Sequence, residues 1–388
     1  MDVIYLDHHS TTPTDERVLD VMLPYFRENF GNASSGTHAY GWQAEEAVDV
    51  ARSHIAGLFN AHPSEVVFTS GATESISIAL LGVAEHYCKE RPGHFITQKT
   101  EHSAVLETFA ELERLGHSVT YLDVDSEGVL SPAVLADAIT DETVLVSVMH
   151  ANNEIGTIQP VAELGAVCRS ARVMFHVDAA QTFGLLNVDV SELDASLVSV
   201  SSHKLYGPKG AGALYVRRRG PRVQLNPRSF GGGHEGGRRP GTLNVPAIVG
   251  FGHAAKLAKE EMTQRYGDLM LLRERLEDGL RAAGVAFTVN GAVDSRLPHN
   301  SSLSFEGVKA EDLILECRSL AMSASAACAS VDSKPSHVIL ALGRDAERAA
   351  STIRFGLGKG LHLEDIDKAV EILSAAYKKL LSKESSDD

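Results

Sequence analysis

Lys204 stands where a lysine amine could act as a nucleophile. It follows an apolar run that ends at Val200, and the turn Gly207-Pro208-Lys209-Gly210 comes shortly after it. A lysine that is held rigidly and partly desolvated after a strand can be neutral and can form a Schiff base. A lysine before a turn is more often a solvated surface charge, so the residues that accompany Lys204 decide between the two interpretations.

Asp178 lies about one strand–helix unit upstream, at the end of the apolar run 173–177. A carboxylate at the end of a buried strand needs a cationic partner, because an unpaired buried charge costs several kcal/mol. A protonated pyridine nitrogen would be such a partner, and the pair would make a cofactor ring a better electron sink. The alternative is a structural aspartate paired with an arginine.

The segment Thr69-Ser70-Gly71-Ala72-Thr73-Glu74-Ser75 reads as a strand, a glycine turn and a helix start. Backbone N–H groups and the helix dipole make such a terminus an anion site. The alternative is an ordinary helix cap formed by Thr73 with Glu74 in the first turn. The segment lacks the pattern of a nucleotide P-loop. A Schiff-base lysine, a buried carboxylate and a phosphate turn together suit pyridoxal 5'-phosphate (PLP).

Strand-length apolar runs alternate with helix-length amphipathic segments through the first two-thirds of the chain, which predicts an α/β fold with a mostly parallel central sheet flanked by helices. Ligands bind outside the carboxyl ends of the strands in such sheets, so the site is expected there. We predict strands at 65–68, 94–97, 144–149 and 173–177, and helices at 75–87, 103–115, 249–283 and 363–383.

The length of 388 residues predicts two domains. We expect a large cofactor-binding domain over 15–255 and a smaller α/β domain formed by 1–14 and 256–388.

The net charge of −15 argues against a nucleic-acid binder, and an apolar fraction of 44% without a long apolar run argues against a membrane protein. Acidic residues near the N-terminus and four sparse cysteines favour a cytoplasmic protein with reduced thiols and no zinc site.

These segments, in their order, resemble those of the cysteine desulfurases, which are class-V aminotransferase-family PLP enzymes of fold type I, and more narrowly the type that serves iron–sulfur cluster assembly and tRNA thiolation. The resemblance covers nearly the whole chain, and the ordered set of motifs is specific. Its further matching segments are Tyr5-Leu6-Asp7, Thr11-Thr12-Pro13, Phe30-Gly31-Asn32-Ala33-Ser34-Ser35, Thr100-Glu101-His102-Ser103, Asn152-Asn153-Glu154-Ile155-Gly156, Gly231-Gly232-Gly233-His234-Glu235 and Ser351-Thr352-Ile353-Arg354-Phe355.

The resemblance implies a role for each matching residue. Lys204 would bind PLP covalently, Asp178 would pair with the pyridine nitrogen, and His102 would stack on the ring and move protons. Arg354, helped by Asn32, would bind the substrate carboxylate, a task that suits a bidentate guanidinium. The residues implied to hold the ring substituents are Asn153 and Gln181, and those implied to hold the phosphate are Ala72, Thr73, Ser201, His203 and, from a second subunit, Thr242.

Cys328 lies in a segment, 323–334, whose residues are mostly small or polar and show no periodic apolar face. Such a segment reads as a surface loop that could carry a thiol into a cleft. A lone cysteine is more often a core residue. The resemblance implies that Cys328 is catalytic and receives sulfur as a persulfide.

The implied reaction converts L-cysteine to L-alanine and passes the persulfide sulfur to an acceptor, such as an iron–sulfur scaffold or a tRNA-thiolation protein. The implied enzyme is a homodimer, without membrane or direct nucleic-acid partners. Three segments depart from the common family pattern: His8-His9-Ser10, Ile76-Ser77 and Ala326-Ala327.

Two other functions stay open at this point. Lys204, Asp178 and the phosphate turn would equally serve another PLP enzyme, such as an aminotransferase, a selenocysteine lyase or a C–S β-lyase, and Cys328 is the residue that discriminates. A non-catalytic sulfur-assembly scaffold would be expected to have lost Lys204 or Asp178, and this chain keeps both.

Overall fold

The computed structural model describes residues 3–324 and 335–387. Its strands are β1 (Ile4–Tyr5), β2 (Val66–Thr69), β3 (His94–Gln98), β4 (Ser118–Leu122), β5 (Thr143–Met149), β6 (Met174–Asp178), β7 (Leu197–Ser201), β8 (Gly212–Val216), β9 (Phe287–Val289), β10 (Asn300–Phe305), β11 (Leu320–Ala321), β12 (Ser323–Ala324) and β13 (Thr352–Gly356). Its helices are α1 (Glu16–Met22), α2 (Pro24–Arg27), α3 (Ala39–Phe59), α4 (Ala72–Tyr87), α5 (Ser103–Arg114), α6 (Pro132–Ala138), α7 (Val161–Ala171), α8 (Val245–Ala282), α9 (Ala310–Glu316), α10 (His337–Ala341), α11 (Ala346–Ala350) and α12 (Leu363–Asp387).

The large sheet has the order β2-β8-β7-β6-β5-β3-β4 within the described residues. Strand β8 runs antiparallel to both of its neighbours, and the other pairings are parallel. Its central strands are apolar on both faces because helices cover both sides. On one side Phe175 packs in a cluster with α3 and α8, and on the other Phe95 packs in a cluster with α4 and α5. The predicted mostly parallel α/β sheet is confirmed.

The parallel strands end at one edge of the large sheet, and the candidate residues follow these ends. Asn153 comes after β5, Asp178 is the last residue of β6, and Lys204 lies three residues after the end of β7. His102 follows β3, and the glycine turn at Gly71 follows β2. The carboxyl edge therefore positions most of the predicted site, as expected for an open α/β sheet.

The small sheet has the order β12-β13-β10-β9 in the described part of the chain and is antiparallel. Its core includes Phe305 and Phe355, packed with Leu276 from α8 and Leu373 from α12. The smaller α/β unit expected toward the C-terminus is therefore present. The N-terminal segment joins it, because β1 pairs with β11 and Asp7 forms a bridge with Gly356.

Helix α8 has 38 residues, a length of about 57 Å. Its first half packs under the large sheet through Phe251 and Ala255, and its second half packs in the small-sheet core. It begins earlier than predicted because the Asn244 side chain accepts the Ala247 N–H and caps the helix. None of the helices among residues 3–324 and 335–387 is both long and apolar enough to cross a membrane.

Candidate active site

A cavity of about 690 Å³ lies at the carboxyl edge of the large sheet and reaches the small sheet. It collects residues from segments that are far apart in the sequence. The predicted site residues that line it are Ala72, Thr73, His102, Asn153, Asp178, Gln181, Ser201, His203, Lys204 and Arg354. The chain therefore brings the predicted cofactor residues and the predicted carboxylate-binding arginine to one place.

Lys204 closes a short 3₁₀ turn, Ser202–Lys204, that follows β7. Its side chain is half-buried, and Nζ donates to the carbonyl oxygens of His9 and Ser10, the latter at 2.8 Å. Burial and the nearby Arg354 charge lower the pKa of the Lys204 amine to about 8. Its environment differs from that of a solvated surface lysine, and a neutral, nucleophilic amine is accessible close to neutral pH.

Asp178 is buried at the end of β6, and its Oδ1 accepts the Ala180 N–H at 2.9 Å. Among residues 3–324 and 335–387 no arginine or lysine forms an ion pair with it, so the alternative of a structural Arg partner is not found. Burial raises the pKa of this carboxyl, while His102 and Lys204 oppose that rise. A cationic group bound in the cavity would satisfy the carboxylate.

His102 caps the N-terminus of α5, and its Nδ1 accepts the Ala104 N–H at 3.1 Å. Because Nδ1 is an acceptor in this bond, the proton of the neutral ring lies on Nε2. Desolvation in the cavity lowers the pKa of the imidazole, and the Asp178 charge opposes this effect. His102 therefore offers the cavity a neutral ring with one defined N–H.

The turn between β2 and α4 forms an anion cradle. The helix begins at Ala72, and its N-cap, Gly71, has φ 156° and ψ −179°, a region that is essentially restricted to glycine. A Cβ on Gly212 would lie 2.5 Å from the Gly71 Cα, so the two backbones approach closely. The first N–H groups of a helix have no intrahelical acceptor. Those of Ala72 and Thr73 can therefore bind a phosphate.

Thr73 lies inside the first turn of α4 and does not cap it, so the alternative of an ordinary Thr73 cap is wrong. Ser201 and His203 line the same cavity, together with Lys209. Burial lowers the pKa of His203 to about 4, so its ring is neutral at physiological pH. Lys209 supplies a positive charge at this site, and it was not among the predicted residues.

Arg354 lies in the middle of β13 and is held from three sides. Its Nη2 donates to Asp7 Oδ1 at 2.8 Å and to Ser10 Oγ at 2.7 Å, and its Nη1 donates to the Asn153 carbonyl at 3.2 Å. Its Nε is buried without a hydrogen-bond partner among the described residues. A positioned guanidinium on the wall of the cavity suits the binding of a carboxylate.

Among the described residues, two predicted site residues do not line the cavity. Asn32 is exposed and accepts the Ser34 N–H through its side chain, and Thr242 is exposed. Cys328 lies outside the described residues. The roles implied for Asn32, Thr242 and Cys328 stay predictions.

Several cavity and near-cavity residues were missed by sequence reasoning, notably Asp7, His9, Ser10 and Glu101. Asp7 and Glu101 stand inside motifs that matched the family, and His9 and Ser10 stand inside a segment that departs from it. Glu101 is buried beneath His102, and its Oε1 accepts the Met149 N–H and a Gln98 N–H. Burial raises the pKa of the Glu101 carboxyl to about 8. Apolar periodicity in the sequence does not identify buried polar residues of this kind.

The donor set fits pyridoxal phosphate. A half-buried lysine, an unpaired buried carboxylate, a neutral histidine and a helix N-terminus line one cavity. These groups match, in that order, an aldehyde, a pyridine nitrogen, an aromatic ring and a phosphate.

Comparison with known proteins agrees with this chemistry. The Aminotransferase class-V family model matches residues 4–369. A cysteine desulfurase IscS from Vibrio cholerae serotype O1 (strain M66-2) is 51% identical over 379 residues, which cover 97% of this chain and 93% of that protein.

Two solved structures are also similar. A NifS-like protein has a TM-score of 0.89 and 36% identity, covering 97% of this chain and 99% of its own. SspA in complex with cysteine has a TM-score of 0.81 and 36% identity, covering 91% and 98%. The predicted PLP fold type I is confirmed. The chain belongs to the class-V aminotransferase family.

Proposed function

We propose that this chain is a PLP-dependent cysteine desulfurase that converts L-cysteine to L-alanine and transfers the sulfur to Cys328 as a persulfide. The observation that carries the proposal is the single cavity that joins Lys204, Asp178 and the α4 N-terminus to Arg354. Relatives named cysteine desulfurase IscS at about half identity over nearly the whole chain support the same activity.

Bound in this cavity, pyridoxal phosphate would supply an electron sink for the bonds at the substrate's Cα and Cβ. Asp178 would hold the pyridine nitrogen in its protonated form, since its buried carboxylate has no cation of its own among the described residues. Ala72, Thr73, Ser201 and His203 would hold the phosphate.

Arg354 would bind the carboxylate of L-cysteine. Asp7, Ser10 and the Asn153 carbonyl fix the guanidinium plane before the substrate arrives, which lowers the entropy cost of binding. Asn32 would assist when its exposed segment approaches the cavity.

Lys204 and His102 would move protons. The Lys204 amine, whose pKa is lowered to about 8, can take the α-proton of the substrate. The Nε2 side of His102 faces no described hydrogen-bond acceptor, and its ring can exchange a proton with the substrate thiol. Both groups line the cavity.

Cys328 would accept the sulfur. Its thiolate attacks the substrate sulfur, the Cβ–S bond breaks, and the electron pair stays on Cβ, which takes up a proton as L-alanine forms. Strand β12 places Ser323 opposite Arg354, and Cys328 follows Ser323 by five positions in the sequence, a chain reach of at most ~18 Å. On the other flank, Ser336 Oγ donates to Glu154 Oε2 at 2.5 Å. Both flanks of 325–334 therefore adjoin the cavity residues.

A homodimer is part of the proposal. Thr242 is exposed and absent from its own cavity, although Arg239, nearby in sequence, pairs with Glu74 of α4 at 3.1 Å. Phe30, Trp42 and Phe230 are more than half exposed, as expected of surfaces that associate. Light scattering on the purified protein tests the dimer, and a Thr242→Ala variant is expected to bind PLP more weakly.

We further propose a domain division, a cellular compartment and a class of sulfur acceptor. Residues 15–255 form the large domain, and 1–14 with 256–388 form the small one, supported by the separate cores. The enzyme would act in the cytoplasm and would pass its sulfur to an iron–sulfur scaffold or a tRNA-thiolation protein. Capture of the native protein followed by mass spectrometry identifies the acceptor.

One experiment tests the activity. The purified protein is expected to show a visible cofactor band and to release L-alanine and, with a thiol reductant, sulfide from L-cysteine. Cys328→Ala should keep the band and abolish alanine release, whereas the control Cys88→Ala, at a half-buried position outside the cavity, should keep both. Lys204→Ala should lose the band. Turnover by Cys328→Ala would favour a direct β-lyase, and a missing band in the parent protein would refute PLP dependence.

A further inference from the structure

The side-chain amide of Gln181 is held at both ends by one residue, His9. The Gln181 Nε2 donates to the His9 carbonyl oxygen at 3.1 Å, and the Gln181 Oε1 lies 3.0 Å from the His9 Nδ1. These residues are separated by 172 positions in the chain. Gln181 and His9 both line the cavity, and only 1% of the His9 surface is exposed.

The bonding partners fix the orientation of this amide. A carbonyl oxygen only accepts, so the end of the amide beside the His9 carbonyl is Nε2. The other end is then Oε1, which also accepts, so the His9 Nδ1 carries the proton. A flipped Gln181 amide would place its Oε1 beside the His9 carbonyl oxygen, and neither atom could donate a hydrogen bond. The contacts to Gln181 therefore require the Nδ1–H tautomer of His9.

The opposite edge of the imidazole leads to the same tautomer. The Asn300 Nδ2 lies 3.1 Å from the His9 Nε2 and donates to the Glu154 carbonyl, also at 3.1 Å. Since that carbonyl fixes Asn300 as the donor, the His9 Nε2 is the acceptor. The ring packs on His299 with centroids 4.2 Å apart. Burial and the His299 charge lower the pKa of His9 well below its usual value, so the ring is neutral.

The amide nitrogen carries two protons, and the His9 carbonyl uses one of them. The second N–H is the donor that Gln181 can offer to the cavity that it lines. Pyridoxal phosphate carries a phenolic oxygen on its ring, which becomes anionic and accepts such a bond. When Lys204 holds the cofactor, a donor to this oxygen would weaken the hydrogen bond between the oxygen and the protonated Lys204 nitrogen, and would thereby lower the pKa of that nitrogen.

We propose that His9 is a positioning residue that fixes the amide orientation of Gln181, so that the site presents an N–H donor to the phenolic oxygen of the cofactor. The proposal rests on the proposed PLP-dependent function. His9 stands in the segment His8-His9-Ser10, far from Gln181 in the sequence.

The test is a pH titration of the visible absorbance of the bound cofactor in two variants of His9. Asn places an amide nitrogen near the position of Nδ1, whereas Gln places one near the position of Nε2. His9→Asn therefore keeps the donor to Gln181, and His9→Gln loses it. We expect His9→Gln to raise the pH of the spectral transition by about one unit, as for the loss of one hydrogen bond, and His9→Asn to titrate like the parent protein.

The two variants also separate this role from packing. Thermal unfolding with bound cofactor verifies that each variant is folded. A parental transition in His9→Gln would overturn the proposal, and so would an equal shift in both variants, because the ring would then act through its packing. In a Gln181→Met background, His9→Gln should add no further shift, since the two changes act through one bond. A fully additive shift would contradict the proposal.

Gln181→Met with His9 intact keeps the proposal testable if the His9 variants fail to fold. This variant removes the donor and should shift the transition in the same direction, and an unchanged transition would refute the proposed donor. A failure of the proposed function is distinguishable from these outcomes, because the parent protein would then lack the cofactor band or would release no alanine from cysteine.

Discussion

The two sides of the cavity are built in different ways. On the large-sheet side, Asp178 and His102 are oriented by near neighbours in sequence, the Ala180 N–H and the Ala104 N–H, and the Lys204 amine is the group there that donates to distant carbonyls, those of His9 and Ser10. On the small-sheet side, Arg354 is oriented by Asp7 and Asn153, which are separated from it by 347 and 201 positions. Asp178 and His102 on the cofactor side are therefore oriented by local sequence, whereas Arg354 on the substrate side is oriented only once distant segments have met.

This difference predicts how each side responds to substitution. A change on the cofactor side should remove chemistry and leave the structure and substrate binding in place. A change on the substrate side should alter binding, because it disturbs a contact between distant segments. The following predictions, from the largest expected effect to the smallest, would sharpen this comparison or contradict it.

The largest effect is expected for Asp178→Asn. The substitution keeps the size of the side chain but removes the charge that stabilises the pyridine nitrogen. Losing one partner of a buried pair costs about 3–5 kcal/mol, so kcat for alanine formation should fall by about a hundredfold to a few thousandfold. Steady-state kinetics with measured cofactor content checks this. A variant with parental kcat would show that Asp178 is merely structural.

Glu101→Gln is expected to change stability more than catalysis. The folded-state pKa of Glu101 is raised to about 8, above the usual carboxyl value of 4.5, so the folded state binds the proton more tightly than the unfolded state does. The stability of the parent protein should therefore fall between pH 4.5 and 8, by up to about 1.4 kcal/mol per pH unit from this group.

The Gln variant lacks this titration. The free energy of unfolding of the variant minus that of the parent should therefore be larger at pH 7 than at pH 5, by about 2–3 kcal/mol. Urea unfolding at several pH values measures the difference. Glu45→Gln, at an exposed position of α3, is the control that should keep the parental slope. Equal slopes in the parent and in Glu101→Gln would mean that Glu101 titrates normally.

Arg354→Lys should act on binding. A lysine keeps the charge but loses the planar fork, which weakens the substrate carboxylate contact by about 1.5–2 kcal/mol. KM for L-cysteine should rise about tenfold to thirtyfold, with a smaller change in kcat. Arg348→Lys, on α11 outside the cavity, should leave KM unchanged. A fall in kcat at constant KM would place Arg354 with the cofactor side instead.

The smallest effect is expected for Asp367→Asn. Asp367 pairs with Arg275 at 2.6 Å across α12 and α8, and both side chains are about half exposed. Such surface pairs contribute little to stability, because solvent and salt screen the attraction. Urea unfolding should therefore show a small loss, in agreement with a small-sheet unit that is stabilised by its apolar core. A loss of several kcal/mol would show that surface charge holds this unit in place.

The sequence predicted the cofactor side better than the substrate side, for a physical reason. Strand periodicity locates the ends of β6 and β7, and parallel strands place those ends at one edge, so Asp178 and Lys204 could be expected together. No periodic signal pairs His9 with Gln181 or Asp7 with Arg354, because these contacts depend on how distant segments meet. Asn32 and Thr242 were predicted only from the family resemblance, and in the single chain neither residue lines the cavity.

The N-terminal segment has a consequence for synthesis of the protein. Ile4 and Tyr5 are synthesised long before the strand that pairs with them, β11, which begins at Leu320, and the bridge from Asp7 forms only after Gly356 has been synthesised. The large sheet needs no residue beyond Val216, so its strands can pair earlier during elongation. A nascent chain would therefore carry Lys204 on an assembled sheet before the N-terminal segment is fixed against β11 and β13, and a site competent for substrate could form only after β13 has been synthesised.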